Sequence, residues 1–199
     1  MKGAASFSLE GSEDYSLLRL QSADGTNRLA RACVAALTEA VQSLAPGAKP
    51  LIIAGNPRFF SAGADLAEIV TLTGLQAYEF SREGQRLMNA IERFPAPVCA
   101  AIEGYCMGGG LDLALACHYR IATPHAVFGH RGAALGLITG WGGTQRLPRL
   151  IGKGRALEML AAAEKIHAIE ALRIGLVDAI SDDPASEAPR RIQSLIRLP

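Results

Sequence analysis

Residues 60–66 (FSAGADL) and 104–113 (GYCMGGGLDL) hold two runs of small residues some forty positions apart, each shortly after an apolar stretch. A turn of small residues between a strand and a helix presents backbone N–H groups that lack an intrahelical acceptor, and the helix dipole favours negative charge there. Glycine lets a ligand or another chain segment approach that backbone closely. Gly108, Gly109 and Gly110 form one such turn; Ser61, Ala62, Gly63 and Ala64 form the other. Two N–H groups aimed at one carbonyl oxygen stabilise an enolate or a tetrahedral oxyanion, often the largest single catalytic contribution. A triple glycine also serves plain tight turns and close packing. Neither a GxGxxG dinucleotide fingerprint nor a GxxxxGK phosphate loop occurs, and the residue two before Ser61 is Phe59, so the GxSxG nucleophile elbow is not met.

Two side chains beside these turns could carry protons. Asp112 follows the triple glycine; it is either a base or simply an acid in the first turn of a helix, where the dipole favours it. If residues 128–132 are extended, His130 and Gly132 point to one face. An imidazole there titrates in a catalytically useful range, the alternative being a histidine satisfied by a nearby backbone group.

These groups need a scaffold. At 199 residues, 49% hydrophobic and 20% charged, the chain suits one folded domain with a sizeable core. A formal net charge of +1 and no long basic run argue against nucleic acid. Cys33, Cys99, Cys106 and Cys117 lie in apolar stretches without CxxC or Cys/His zinc spacing, which predicts reduced, buried thiols, no metal and a cytoplasmic protein. The N-terminal stretch carries acids where a signal peptide has its apolar core, and no apolar run reaches membrane-spanning length.

Strands are predicted over 15–20, 51–54, 97–102, 119–122 and 176–180. Helices are predicted over 28–44 with Asn27 as N-cap, over 75–94, from the triple glycine to about Cys117, near 144–147, 154–163 and 168–174, and over about 188–197 with Pro189 in the first turn. Strands alternating with helices give an α/β class with parallel strands and right-handed crossovers.

Three ordered segments carry a family resemblance: PRFFSAGADL at 57–66, PVCAAIEGYCMGGGLDLALAC at 97–117 and FGHRGAALGLITGWGGTQRLPRLIG at 128–152. The chain resembles the crotonase (enoyl-CoA hydratase/isomerase) superfamily over roughly residues 15–180. The resemblance implies a single crotonase-like domain over 1–199, a spiral of ββα units with a shortened C-terminal helical region. It implies action on an acyl-CoA thioester, with coenzyme A arriving as part of the substrate and no permanently bound cofactor. The N–H groups of Ala64 and Gly109 would form the oxyanion hole. Ala62, Gly63, Asp65, Leu66 and Gly108 would line the substrate groove, and Trp141 would be packing or acyl-pocket wall. A homo-oligomer, trimer or hexamer, is implied too; the chain's ending after one candidate C-terminal helix predicts a different assembly or a more open pocket.

The chain departs from the family pattern at the acid/base pair. Resembling hydratases use two glutamates; here those positions are Asp112 and Gly132. Gly132 cannot act as acid or base, and Asp is one methylene shorter than Glu, so hydration by two flanking acids is in question. Asp112 as a lone base, His130 partly filling the place of Gly132, decarboxylation of a malonyl-type thioester, and a non-catalytic CoA-ester-binding paralogue all stay open. Arg131 replaces a common proline; Arg131, Arg28, Arg58 and Lys49 are expected mainly as surface charge, and His118 as structural.

Overall fold

The computed structural model describes residues 7–196. β1 (Phe7–Gly11) forms an antiparallel hairpin with β2 (Ser16–Leu20). β3 (Arg28–Leu29) and α1 (Arg31–Leu44) complete the first turn of a spiral. The second turn runs through β4 (Leu51–Ala54), β5 (Phe59–Ser61), β6 (Gly63–Ala64), α2 (Leu66–Ile69) and α3 (Gly74–Glu92). The third is β7 (Val98–Ile102), β8 (Tyr105–Met107) and α4 (Gly109–Ala116). The fourth is β9 (Tyr119–Ala122), β10 (Val127–Gly129), a 3₁₀ turn at Ala133–Leu135 and α5 (Gly143–Ile151). α6 (Lys153–Ala161), β11 (Ile166–His167), α7 (Ala168–Arg173), β12 (Ala179–Ile180) and α8 (Pro184–Ile196) follow.

The first strands of successive turns are neighbours in a six-stranded sheet of order β1-β2-β4-β7-β9-β12, parallel apart from the β1 edge. The second strands line up separately: β5, β8 and β10 run parallel with β11 antiparallel at the edge, and β3 pairs with β6. This is the expected spiral of ββα units. Every residue of β4 and β7 is buried, as strands covered on both faces must be, which is why they read as unbroken apolar runs. Cys33, Leu37 and Val41 of α1 and Phe80, Leu87, Met88 and Ile91 of α3 turn their apolar stripes into the same core. The start of α3 is fixed by a capping box between Thr73 and Gln76, a device of about 1 kcal/mol.

Four local expectations are corrected. Asn27 does not cap α1: its φ is +52°, and its Nδ2 donates to the carbonyls of Phe59 (2.9 Å) and Phe60 (3.2 Å). Residues 28–29 are then freed to pair with β6, and the helix starts at Arg31 behind Ala30 without a side-chain cap. The strand expected over 176–180 shrinks to Ala179–Ile180, because Leu176 N–H turns back to the Ala171 carbonyl at 2.8 Å. The last helix begins at Pro184, so Pro184 and not Pro189 takes the first helical position, and Pro189 sits inside the helix. The expected end at Arg197 lies outside the described residues.

Candidate active site

The two small-residue turns meet backbone to backbone. β3 holds β6 in register, Leu29 opposite Ala64. Ser61 Oγ braces the approach, donating to the Asn27 carbonyl (2.7 Å) and accepting from Gly63 N–H (3.0 Å). Gly63 has φ +94°, and a Cβ on it would lie 2.6 Å from the Met107 carbonyl oxygen and 3.0 Å from Gly109 N. A Cβ on Gly109 would lie 3.2 Å from Ala64 N and collide with the Trp141 ring; one on Gly110 would lie 2.6 Å from Ser61 Cβ. Side chains at 63, 109 and 110 are thus excluded by contact. Gly108, at φ +51°, donates its N–H to the Gly129 carbonyl (2.8 Å), which ties the turn to β10. Gly109 opens α4, so its N–H has no acceptor one turn back. Ala62 donates its N–H to the Thr26 carbonyl (2.9 Å), Asp65 caps α2 by accepting from Ala67 N–H (2.9 Å), and Leu66 is exposed.

One turn along α4 the contacts change from backbone to side chain. Asp112 is buried; its Oδ2 accepts from Thr139 Oγ1, and its Oδ1 lies 3.3 Å from His130 Nε2. His130 is also buried. Gly143 makes room for the pair: a Cβ there would strike Asp112 Oδ1 and come within 2.8 Å of His130 Nε2 and 2.9 Å of Thr139 Cγ2. Neither Asp112 Oδ1 nor His130 Nε2 has a hydrogen-bond partner within the protein, which leaves a carboxylate oxygen and an imidazole nitrogen side by side for a reacting group.

His130 reaches Asp112, but not by the expected route. β10 ends at Gly129, and Gly132 is helical (φ −57°, ψ −43°) at the start of the 3₁₀ turn. A Cβ on Gly132 would point to the Leu137 carbonyl, 2.8 Å away. Residues 130 and 132 therefore do not share an extended face, because the chain coils where Leu135 and Leu137 N–H bond back to the Gly132 carbonyl.

Trp141 is buried against Gly84 and Gly109 and stands edge-on to Phe80, with centroids 5.2 Å apart at 87°. Arg131 lies on a surface cleft of about 480 Å³ with Phe59, Tyr105, Met107, Leu135 and Lys165. His118 is structural: Nδ1 accepts from Val98 N–H (2.9 Å), and Nε2 meets the Glu92 carbonyl (3.0 Å). Arg28 pairs with Asp24 and Lys49 bonds the Ser12 carbonyl, both at the surface. Burial raises the Cys117 thiol to about 12 and also raises Cys99 and Cys106 above the usual thiol range, which leaves no thiolate nucleophile among these three. Among the described residues no group of three or more His, Cys, Asp or Glu is placed to hold a metal, and no helix is long and apolar enough to cross a membrane.

Sequence reasoning missed Thr139 and Gly143. Neither belongs to a periodic pattern. The only available signal was a hydroxyl side chain in an otherwise small and apolar loop, LGLITGWGG.

The family model described as "Enoyl-CoA hydratase/isomerase" matches residues 12–197. A Bacillus subtilis protein described as "Probable enoyl-CoA hydratase" is 49% identical over 140 residues, covering 70% of this chain and 54% of that protein. A crotonyl-CoA hydratase from Syntrophomonas wolfei is 40% identical over 175 residues, covering 86% of this chain and 67% of that protein. The chain thus spans about half the length of the first relative and two thirds of the second. Among solved structures, Pseudomonas aeruginosa DspI superposes with a TM-score of 0.92 at 33% identity, covering 100% of this chain and 78% of that one. An enoyl-CoA hydratase from Bacillus anthracis gives 0.88 at 33% identity, covering 95% of this chain and 77% of that one.

Proposed function

The chain belongs to the enoyl-CoA hydratase/isomerase family of the crotonase superfamily, and from that premise we propose that it is an acyl-CoA enzyme that works by stabilising a thioester enolate. The thioester oxygen sits between the N–H groups of Ala64 and Gly109. These donors belong to backbone locked by mutual contact, so they need no reorganisation when charge develops on the oxygen, and that is where such donors are worth most. Asp112 takes or returns the proton on the acyl chain, with His130 as its proton-sharing partner and Thr139 holding the carboxylate in one orientation. The 62–66 turn, Gly108 and Trp141 border the bound thioester. Coenzyme A comes and goes with the substrate, and no resident cofactor is required. A homo-oligomer, trimer or hexamer, working in the cytoplasm is part of this proposal.

The observation that carries the reading is the approach of the two turns: a Cβ on Gly63 would lie 3.0 Å from Gly109 N, and one on Gly109 would lie 3.2 Å from Ala64 N. The test is incubation of the protein with crotonyl-CoA, a 3-enoyl-CoA and methylmalonyl-CoA, with products identified by mass spectrometry. Consumption of either enoyl thioester is expected. If none is consumed and calorimetry finds no acyl-CoA binding at high ligand concentration, the reading fails.

One observation favours a second reaction on the same scaffold. Position 132 carries no side chain, so the second acid that hydration would use is absent there, which leaves Asp112 as the buried carboxylate beside the two turns. Decarboxylation of a malonyl-type thioester needs the oxyanion site, since loss of CO₂ leaves an enolate that one proton then quenches. It does not need two acids. Selective consumption of methylmalonyl-CoA to propionyl-CoA would decide for it, and binding without any turnover would leave a CoA-ester-binding protein.

A further inference from the structure

Trp141 is the only tryptophan in the chain, and 5% of it is exposed. The indole fits because two of its neighbours lack side chains. A Cβ on Gly84 of α3 would strike its pyrrole edge; one on Gly109 would strike its benzo edge, 2.7 Å from Cε3. Phe80 closes a further side, edge-on. The Cβ position of Gly109 that meets the indole is also 3.2 Å from Ala64 N. The benzo edge therefore borders the notch between the two backbone turns.

Its neighbours in sequence tie it to the acid pair. Thr139 bonds Asp112, and Gly143 packs on Asp112 and His130. Trp141 lies between these two residues in the chain, so the loop that places Thr139 and Gly143 at the acid pair also carries the indole that borders the notch. For Asp112 to act on them, the acyl carbons must lie between the notch and this pair. A bicyclic ring held by Phe80, Gly84 and Gly109 has two side-chain torsions and no room to turn. It cannot yield to extra methylenes as a leucine or methionine would.

Building on the acyl-thioester reading above, we propose that Trp141 is the specificity-determining residue that restricts this site to short acyl chains. Its neighbours Gly84 and Gly109 are the receptacle that makes the restriction possible.

The experiment titrates the protein with coenzyme A, butyryl-CoA and octanoyl-CoA by calorimetry while indole emission is recorded; with one tryptophan, that emission reports this ring alone. Butyryl-CoA is expected to bind and to move the emission further than coenzyme A does. Octanoyl-CoA is expected to bind at least about tenfold more weakly, the scale of one ill-fitting methylene or more. Trp141→Ala should erase the gap between the two thioesters, and Trp141→Phe, which keeps a ring against Gly84 and so protects the fold, should narrow it. Equal affinity of the unmodified protein for both thioesters, or an unchanged ratio in the folded variants, overturns the assignment while the acyl-thioester reading stands. Silence with all three ligands overturns both.

Discussion

Gly63 and Gly109 meet through backbone, whereas Asp112 and His130 meet through side chains, and both contacts involve the first turn of α4. The backbone contact is enforced by exclusion: any Cβ at 63, 109 or 110 would come within 3.2 Å of an atom of the opposite segment. The side-chain contact is held by choice of residue, since Thr139, His130 and Asp112 could each be replaced without blocking the chain's path. The difference teaches that the two halves of the site answer to different constraints. The half that would stabilise charge on oxygen is fixed once the fold forms. The half that would move protons is free to vary, and here it carries Asp112 and His130 with nothing at Gly132.

Breaking the backbone half should have the largest effect. Gly109→Ala puts a Cβ into the Trp141 ring and beside Ala64 N, closing the notch itself. Turnover of the best thioester should fall on the order of 10³-fold, the upper end for a lost oxyanion donor. Stopped-assay kcat and KM on folded protein, checked by circular dichroism, would measure it; wild-type turnover in this variant would remove Gly109 N–H from the chemistry. Breaking the side-chain half should cost less and spare binding. Asp112→Asn keeps the shape and the bond from Thr139 but cannot hold a proton, so kcat should drop by about 10²-fold while acyl-CoA affinity is kept. Undiminished kcat would show that Asp112 moves no proton and would favour chemistry without a protein base.

The same contrast explains what was legible beforehand. The runs LIIA and VCAAI announce buried strands because both faces of β4 and β7 are covered. The glycine spacing announces the two turns because their geometry tolerates nothing larger. The second strand of each spiral turn stayed hidden: β5, β6 and β8 have three, two and three residues, too few for a period to show. Asn27 read as a cap because asparagine often is one, yet the carbonyls of Phe59 and Phe60, more than thirty residues away, claimed its amide. The meeting of Asp112 with His130 depends on how β10 ends. A strand carried on to residue 132 would have sent the chain elsewhere; the 3₁₀ turn decides this, and its backbone bonds leave no mark in the residue pattern.

That turn makes a sharper test of the side-chain half. If the deficit at position 132 were only a missing carboxylate, Gly132→Glu would restore it. The local geometry predicts otherwise. The backbone at 132 is helical and accepts a side chain, but its Cβ would face the Leu137 carbonyl at 2.8 Å, not Asp112. The substitution should yield no gain in hydration of crotonyl-CoA and should lower stability by about 1–2 kcal/mol through local overpacking, read as a fall in Tm. A gain in hydration would mean that the 3₁₀ turn reorganises readily and that the two halves of the site are less independent than the packing indicates.

The smallest effect is expected where a side chain belongs to the backbone half. Asp65 follows Ala64 directly, is half-buried, and gives its carboxylate to Ala67 N–H at 2.9 Å as the cap of the four-residue α2. Removing it as Asp65→Ala should cost about 1 kcal/mol of stability, the usual worth of an N-cap, and Asp65→Ser, which can still accept that bond, should recover most of it. Acyl-CoA affinity should barely change in either variant, because the 62–66 turn would border the thioester through its backbone while the Asp65 carboxylate is turned to Ala67 N–H. Chemical denaturation gives the first quantity and calorimetric titration the second. Should affinity fall well beyond the loss in stability, and Asp65→Ser fail to rescue it, the carboxylate would be a ligand contact, and the backbone half would depend on a side chain after all.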